Sequence, residues 1–292
     1  MRVLGRWLAV VLAVLLWVQG APAEDVGLGR GLLFEVQAEG GGSCWLFGTI
    51  HSEDPRVLDL PESVRSAFEG AAVVVLEVVP DAQAILASMV TMVYTDGRGL
   101  ESILGPALYR EAVDAVAGLG MSEAAIRDFK PWALVTMLSV PPGATGEFLD
   151  LRLHRLAVEA GKSVRGLETI AEQLAVFEDL SEADQVALLR ETLAVLSELP
   201  AVYERLLAAY LARDLPGLQG LSEEYLQGGD PDLAERFRTA AVDVRNARMA
   251  ERVAPLIESG DCFVAVGALH LPGAGGILQR LAGRGFTIRV VY

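Results

Sequence analysis

The sequence predicts an α/β (α+β) protein whose central mixed sheet is built from both chain ends and carries a large helical insertion. Short apolar runs bounded by glycine and polar residues, as in buried strands, occur within 31–48, 72–79 and 262–291. Between residues 81 and 240 the apolar residues instead recur mainly with helical spacing. Because strands flank this stretch on both sides, we expect one sheet to combine strands from the two ends.

The N-terminus is basic and then strongly apolar. Arg2 and Arg6 precede the apolar run Trp7–Val18, which an Ala-Pro-Ala cleavage signal follows. This order is typical of a secretory signal peptide over residues 1–23. A membrane anchor is the alternative, but the run is shorter than the roughly 20 residues of a spanning helix. We expect export, to the periplasm or outside the cell, of a single mature domain, residues 24–292, without a membrane span.

The chain is acidic, with 24 basic and 39 acidic residues and a formal charge of −15. Loss of the signal peptide removes two arginines and no acid, which makes the charge −17. Nucleic acids and anionic membrane surfaces are poor partners for such a protein. Divalent cations and cationic substrates are compatible with it, although a solvated acidic surface is the simpler explanation. The sequence does not indicate an oligomeric state.

The first strands should lie at 31–37 and 44–48, as a hairpin closed by a glycine-rich turn. After His51 a loop leads to a helix over 61–70, which has proline at its start and glycine at its end. The next run, 72–79, predicts a buried strand.

Glu77 interrupts that apolar run, and Pro80 ends it. A carboxylate in such a strand is costly unless it is paired or binds a metal. The alternative is an edge position at which the carboxylate reaches water. If the strands are parallel, Glu77 lies at the same edge of the sheet as His51.

The insertion, residues 81–240, predicts a succession of helices, one of which carries His154 in a position without chemistry. A short strand over 162–168 ends at Glu168, and a helix begins at Thr169. Glu168 either caps this helix, since acids are favourable near helix N-termini, or faces the histidines.

Two apolar runs end in the same motif, Gly48-Thr-Ile-His51 and Gly267-Ala-Leu-His270. The chain has only 3 histidines, so two in matching contexts need a common explanation. A shared divalent metal is one, because neutral imidazole is the commonest metal ligand and open α/β sheets place their chemistry at strand ends. The alternative is that each histidine caps a helix or satisfies a buried carbonyl.

The two cysteines, Cys44 and Cys262, precede these motifs. A disulfide is possible in an oxidising compartment if the two strands are neighbours. Cys44 lies four residues before Gly48, whereas Cys262 lies five before Gly267, so their side chains could face opposite sides of the sheet. Two buried thiols are the alternative.

Common nucleotide and nucleophile motifs are absent from the sequence. There is no Walker motif and no Gly-x-Ser-x-Gly elbow. Gly273, Gly275 and Gly276 do not form a dinucleotide fingerprint, since no acid follows at the expected distance.

Several short motifs follow one another along the chain: Phe47-Gly-Thr-Ile-His51, Leu76-Glu77, Lys130-Pro-Trp132, Gly166-Leu-Glu-Thr169 with Glu172-Gln173, Arg245-Asn246 with Met249-Ala250, and Val266-Gly-Ala-Leu-His-Leu-Pro-Gly273. In this order they resemble the TraB/GumN family, which includes the TIKI metalloproteases of animals. The resemblance covers almost the whole mature chain.

The resemblance implies a divalent-metal-dependent hydrolase, specifically a peptidase like TIKI, in which His51, His270 and Glu77 are essential. The family is also similar in fold to erythromycin esterase and to ChaN-like proteins, the latter associated with haem binding. The alternative function is therefore a non-enzymatic protein of the cell envelope that binds haem, a metal or a small ligand.

One hypothesis agrees with both the residue patterns and the family resemblance. In it His51 and His270 hold one divalent ion (manganese, cobalt or zinc), and Glu77 is the third ligand or the general base. Glu168 would accept a proton from water or orient a ligand histidine. Arg245 and Asn246 would stabilise an oxyanion, although a surface ion pair is the alternative for Arg245. The substrate, a peptide, an ester or another amide, is not indicated.

Overall fold

The computed structural model describes residues 29–140, 147–226 and 230–292, so the signal peptide predicted for residues 1–23 lies outside it. The strands of the described part form one mixed sheet. They are β1 (Leu33–Gln37), β2 (Ser43–Thr49), β3 (Val73–Leu76), β4 (Ser163–Gly166), β5 (Cys262–Gly267) and β6 (Thr287–Val290).

Helices make up most of the remaining described chain. They are α1 (Pro55–Leu58), α2 (Glu62–Gly70), α3 (Ala82–Thr91), α4 (Leu100–Ala117), α5 (Glu123–Ile126), α6 (Pro131–Leu138), α7 (Leu149–Glu159), α8 (Ile170–Glu178), α9 (Glu182–Val195), α10 (Leu199–Leu211), α11 (Leu215–Leu226), α12 (Pro231–Arg238), α13 (Val244–Ser259) and α14 (Ile277–Ala282). Among them, none is long and apolar enough to cross a membrane.

The strand order is β4-β3-β5-β2-β1-β6. The first four strands of this order are parallel, β1 is antiparallel to β2, and β6 is antiparallel to β1. The mixed α/β sheet and the hairpin of the first two strands are therefore confirmed. One strand, β4, comes from within the helical insertion and adds to the edge of the sheet beside β3.

The sheet is buried because its central strands are apolar on both faces. In β5 the residues from Cys262 to Val266 are all buried, as expected for a parallel strand covered by helices. A second apolar core lies among the inserted helices, where the Trp132 and Phe177 rings stack with centroids 5.3 Å apart. Lys130 and Trp132 both donate hydrogen bonds to Glu178, which anchors the start of α6 to the end of α8.

Cys44 and Cys262 form a disulfide between the neighbouring strands β2 and β5, with their Cα atoms 4.7 Å apart. The register of these strands pairs the two cysteines with each other, and it pairs Gly48 with Val266 rather than with Gly267. The expectation that unequal offsets turn the cysteine side chains apart is therefore wrong, because paired residues of adjacent strands face the same side.

Candidate functional site

The carboxyl ends of four parallel strands meet at one edge of the sheet. Glu168 follows β4, Glu77 follows β3, His270 follows β5 and His51 follows β2. These four residues therefore lie in spatial order along the edge at which open α/β sheets bind their ligands. Glu77 and Glu168 both fall just beyond the last residue of their strands rather than within them.

The glycines of the two motifs bring this edge together. A Cβ on Gly48 would come within 3.1 Å of the Cα of Ala268, so the glycine allows the turn that carries His270 to pack closely against β2. The backbone N–H of Gly267 donates a 2.7 Å hydrogen bond to Oε1 of Glu77. The first glycine thus permits a close approach, and the second supplies a donor to the site.

His270 is held in one orientation. Its side chain is 1% exposed, and its Nδ1 lies 2.5 Å from Oδ1 of Asn246. The Asn246 amide is fixed in turn, because its Nδ2 donates to the carbonyl of Gly275. The proton of the His270 ring must therefore be on Nδ1, which leaves a lone pair on Nε2.

Burial lowers the pKa of His270 to about 3, and the charges of Arg245 and His51 act in the same direction, while Glu77 opposes them. His270 is consequently a neutral imidazole at pH 7. A neutral imidazole with a fixed Nδ1 proton is the form in which histidine binds metals, usually with an oxygen partner on its other nitrogen.

Glu77 is ionised despite being largely buried. Burial acts against the charged form, but Arg245, His270 and the Gly267 N–H outweigh it and lower the pKa of Glu77 to about 2. Oε2 of Glu77 accepts hydrogen bonds from Arg245 at 2.6 Å and from Gln173 at 3.0 Å.

Nε2 of His270 and Oε1 of Glu77 face each other at 3.6 Å. This distance is too long for a hydrogen bond, and the ring proton is on the other nitrogen. Two lone-pair-bearing atoms, one of them anionic, thus converge in a mostly buried place. This arrangement is favourable when a cation or a proton donor lies between them.

Glu168 is fully buried, and its carboxylate contacts arginines rather than a histidine. Arg245 donates to Oε2 at 2.9 Å, and Arg248 donates to Oε1 at 2.8 Å. The helix that follows is capped by Thr169 and Glu172 in a capping box, so Glu168 is not its cap.

Arg245 lies between the two carboxylates and is 9% exposed, so the surface ion pair considered as an alternative is wrong. Arg245 and Asn246 are neighbours in α13, just after the π-helical turn Thr239–Asp243. Side chains of consecutive helix residues diverge by about 100°, so Arg245 reaches the glutamates while Asn246 reaches His270. Such π turns often occur at functional sites.

His51 differs from His270 in being 71% exposed. Its Nε2 lies 3.6 Å from Oδ2 of Asp150, and its ring packs edge-on against Phe148 with centroids 5.9 Å apart. His51 is close enough to influence the charge states of Glu77 and His270. Across the described residues, however, no group of three His, Cys, Asp or Glu side chains converges as a preformed metal centre.

Sequence reasoning missed three polar residues that complete the site: Gln173, Arg248 and Asp150. Gln173 belongs to the Glu172-Gln173 motif, which was a signal without an assigned role. Arg248 follows Arg245 by three residues and so lies on the same helix face. No sequence pattern distinguishes Asp150, since an acid in the first turn of a helix is common.

The fold and the site define an α/β protein with a charged edge formed by the carboxyl ends of four parallel strands. The family model for TraB/PrgY/gumN matches residues 32–290, and the chain belongs to this family. Comparison with curated proteins and with solved structures gave no match.

Proposed function

We propose that the protein is a divalent-metal-dependent hydrolase, of which a TIKI-like peptidase is the form to test first. The observation that carries the proposal is the 3.6 Å approach of His270 Nε2 and Glu77 Oε1. Both atoms are in the charge state that binds a cation, and both are held by partners on the far side of their groups.

The nitrogen and oxygen donors at this edge match part of the coordination sphere of a divalent ion. His270 and Glu77 would be two of its ligands, and His51, at the same edge of the sheet, would be the third. Nitrogen and oxygen donors of this kind suit manganese, cobalt or zinc. When bound, such an ion would act as a Lewis acid and lower the pKa of a water molecule towards neutrality.

The pKa of Glu77 favours one of its two proposed roles. A general base works best when its pKa lies near the working pH, and that of Glu77 is about 2. We therefore assign Glu77 as a ligand. We assign Glu168 to hold Arg245 against Glu77, since both of its oxygens already accept hydrogen bonds from arginines.

Arg245 remains the proposed oxyanion-stabilising residue. Its Nε and Nη2 are bound to carboxylates, whereas its Nη1 has no hydrogen-bond acceptor in the described part of the chain. A donor that is charged, buried and fixed on two sides is effective at stabilising developing negative charge. Asn246, whose amide is used by His270 and Gly275, serves instead to orient the histidine.

We also propose that the protein is exported. The predicted signal peptide supports this, and so does the Cys44–Cys262 disulfide, since such bonds persist in oxidising compartments. Expression of the full chain in a bacterial host should give a periplasmic product that begins near Glu24. An intact N-terminus in the cytoplasm would contradict export.

The test of the hydrolase proposal is metal binding followed by turnover. Wild-type protein reconstituted with manganese, cobalt or zinc should hold one ion, and His270→Ala and Glu77→Gln should hold none. His154→Ala is the matched control, because it removes the third histidine from a helix outside the site. The loaded protein should then cleave members of a peptide library.

Two results would contradict the proposal. Absence of metal from the reconstituted wild type would exclude the ion. Metal retention without turnover on peptide, ester and amide substrates would select the alternative, a metal- or ligand-binding protein of the cell envelope.

A further inference from the structure

A third carboxylate, that of Asp150, lies beside His51 at the edge of the sheet. Asp150 is in the first turn of α7, and its Oδ1 accepts a 2.7 Å hydrogen bond from the hydroxyl of Thr49. Its Oδ2 is buried without a hydrogen-bond partner among the described residues, and it faces Nε2 of His51 at 3.6 Å. A buried carboxylate oxygen in this state needs a donor.

The polar partners of the two histidines correspond to each other, although the burial of the two rings differs. Each ring has one nitrogen beside a side-chain oxygen, and each of those side chains is held by another group. For His270 the pair is Asn246 and the Gly275 carbonyl. For His51 it is Asp150 and the Thr49 hydroxyl. The two side chains that face the histidine rings come from different helices: Asn246 belongs to α13 and Asp150 belongs to α7.

We propose that Asp150 is a positioning residue that holds the His51 ring through Nε2, with Thr49 fixing the carboxylate. A movement of about 0.6 Å would bring the present contact to hydrogen-bond length. Phe148, from the start of the same helix segment, limits the ring from another side. An exposed histidine would thereby be kept at the edge where His270 and Glu77 converge.

The nitrogen that this contact leaves free is Nδ1. With the proton on Nε2 and directed at Asp150, the lone pair of the ring is on Nδ1. His51 would therefore bind a ligand through Nδ1, whereas His270 would bind through Nε2. This step rests on the proposed metal site, and it assigns to Asp150 the role that oxygen partners of metal-binding histidines commonly have.

The test measures the affinity of manganese and zinc for wild type and variants by calorimetry. Asp150→Ala should weaken binding about 10- to 100-fold without changing the stoichiometry. Asp150→Asn should restore most of the affinity, because an amide oxygen performs the same task for His270. Thr49→Val should cause a smaller loss than Asp150→Ala. Glu159→Gln, which removes an acid from the other end of α7, should leave the affinity unchanged.

A double-mutant cycle separates positioning from direct ligation. If Asp150 acts through His51, Asp150→Ala should have no further effect in the His51→Ala background. Additive losses would identify Asp150 as a ligand in its own right and overturn the proposal. Failure of Asp150→Asn to restore binding would also overturn it.

A measurement without metal distinguishes failure of this proposal from failure of the proposed function. The nitrogen chemical shifts of the His51 ring at alkaline pH should show the Nε2-protonated tautomer alone in wild type and a mixture of tautomers in Asp150→Ala. If wild type binds no metal, the proposed function fails and this readout still decides the role of Asp150. Identical spectra in the two proteins would exclude positioning.

Discussion

The two Gly-x-x-His motifs are alike in sequence, but the fold gives their histidines opposite surroundings. His270 is 1% exposed, whereas His51 is 71% exposed. The second motif follows β5, which lies between β3 and β2, and a 3-10 turn carries its histidine beneath α13. The first motif follows β2 and enters an exposed segment. Both strands are central in the sheet, so the elements that cover the turn after each strand, rather than the motif, decide the burial of its histidine.

This difference divides the site into a rigid part and an adjustable part. His270, Glu77 and Arg245 form a network in which each side chain is held by at least one fixed hydrogen-bond partner. Such networks resist rearrangement, because loss of one member leaves another buried and unpaired. His51 has one long polar contact and one ring contact. Ligands should therefore enter and leave on the His51 side.

Of the substitutions that test this difference, Arg245→Met in the rigid part should cause the largest loss of folding stability. The substitution leaves Glu77 and Glu168 as buried neighbouring carboxylates without the cation between them. Breaking a buried ion pair in this way typically costs about 3–5 kcal/mol of stability. Urea unfolding of the metal-free protein measures the loss.

Arg155→Met is the matched control for this prediction. Arg155 pairs with Glu147 and Glu159 on the surface, and exposed pairs contribute little, so its loss should hardly change the unfolding midpoint. Equal effects of the two substitutions would show that the Arg245 network is not a rigid part of the fold.

The second prediction concerns pH and the rigid part alone. The pKa of His270 is about 3 in the folded protein against an ordinary value of 6.5, so below pH 6.5 the unfolded chain binds a proton that the folded chain does not. The part of the stability that depends on His270 is complete above pH 6.5 and falls as the pH is lowered, by at most about 1.4 kcal/mol per pH unit. The pKa of Glu77, lowered from 4.5 to about 2, adds a loss only below pH 4.5.

Between pH 6.5 and 4.5, therefore, His270 contributes to this slope and Glu77 does not. Urea unfolding at several pH values should show that the stability difference between metal-free wild type and His270→Ala shrinks by an amount on the order of 2–3 kcal/mol across this interval. His270→Ala is less stable at every pH but should lack that part of the slope. Parallel curves for the two proteins would place the protonated group elsewhere.

Part of the site could be predicted from the sequence. Apolar runs predict strands, and parallel strands place their carboxyl ends together, so His51, His270 and Glu77 could be placed at one edge from the sequence alone. For Glu168 the sequence left two positions open, a helix cap and this edge. The family resemblance, which rests on short motifs in a fixed order, is confirmed.

What could not be predicted depends on contacts between elements. The register of β2 and β5 decides the pairing of Cys44 with Cys262, and this register cannot be predicted from the sequence of either strand alone. The contact of Asp150 with Thr49 depends on where α7 crosses the edge of the sheet. Burial of Arg245 likewise follows from the packing of α13, since its own segment has the charge density of a surface helix.

A smaller loss of folding stability is expected from Asn246→Leu, which tests how the rigid part holds His270. The substitution removes the acceptor from Nδ1 of His270 and one of the two donors from the Gly275 carbonyl, which keeps its hydrogen bond from Arg280. Leaving the buried N–H of His270 unpaired should cost about 1–3 kcal/mol. Asn246→Asp retains the acceptor oxygen, so in a metal-binding assay it should lose less affinity than Asn246→Leu. The opposite ranking would show that the Gly275 contact, rather than the acceptor, matters.

The smallest effect on stability should come from His51→Ala, which removes the adjustable member of the pair. Since the ring is mostly exposed, its loss should change the free energy of unfolding of the metal-free protein by no more than about 0.5 kcal/mol. In the presence of manganese or zinc the result should differ, because a bound ion stabilises the folded state and the variant binds it more weakly. Thermal unfolding with and without the ion measures both. A large loss of stability without metal would show that His51 supports the fold, and an unchanged metal-dependent shift would exclude it as a ligand.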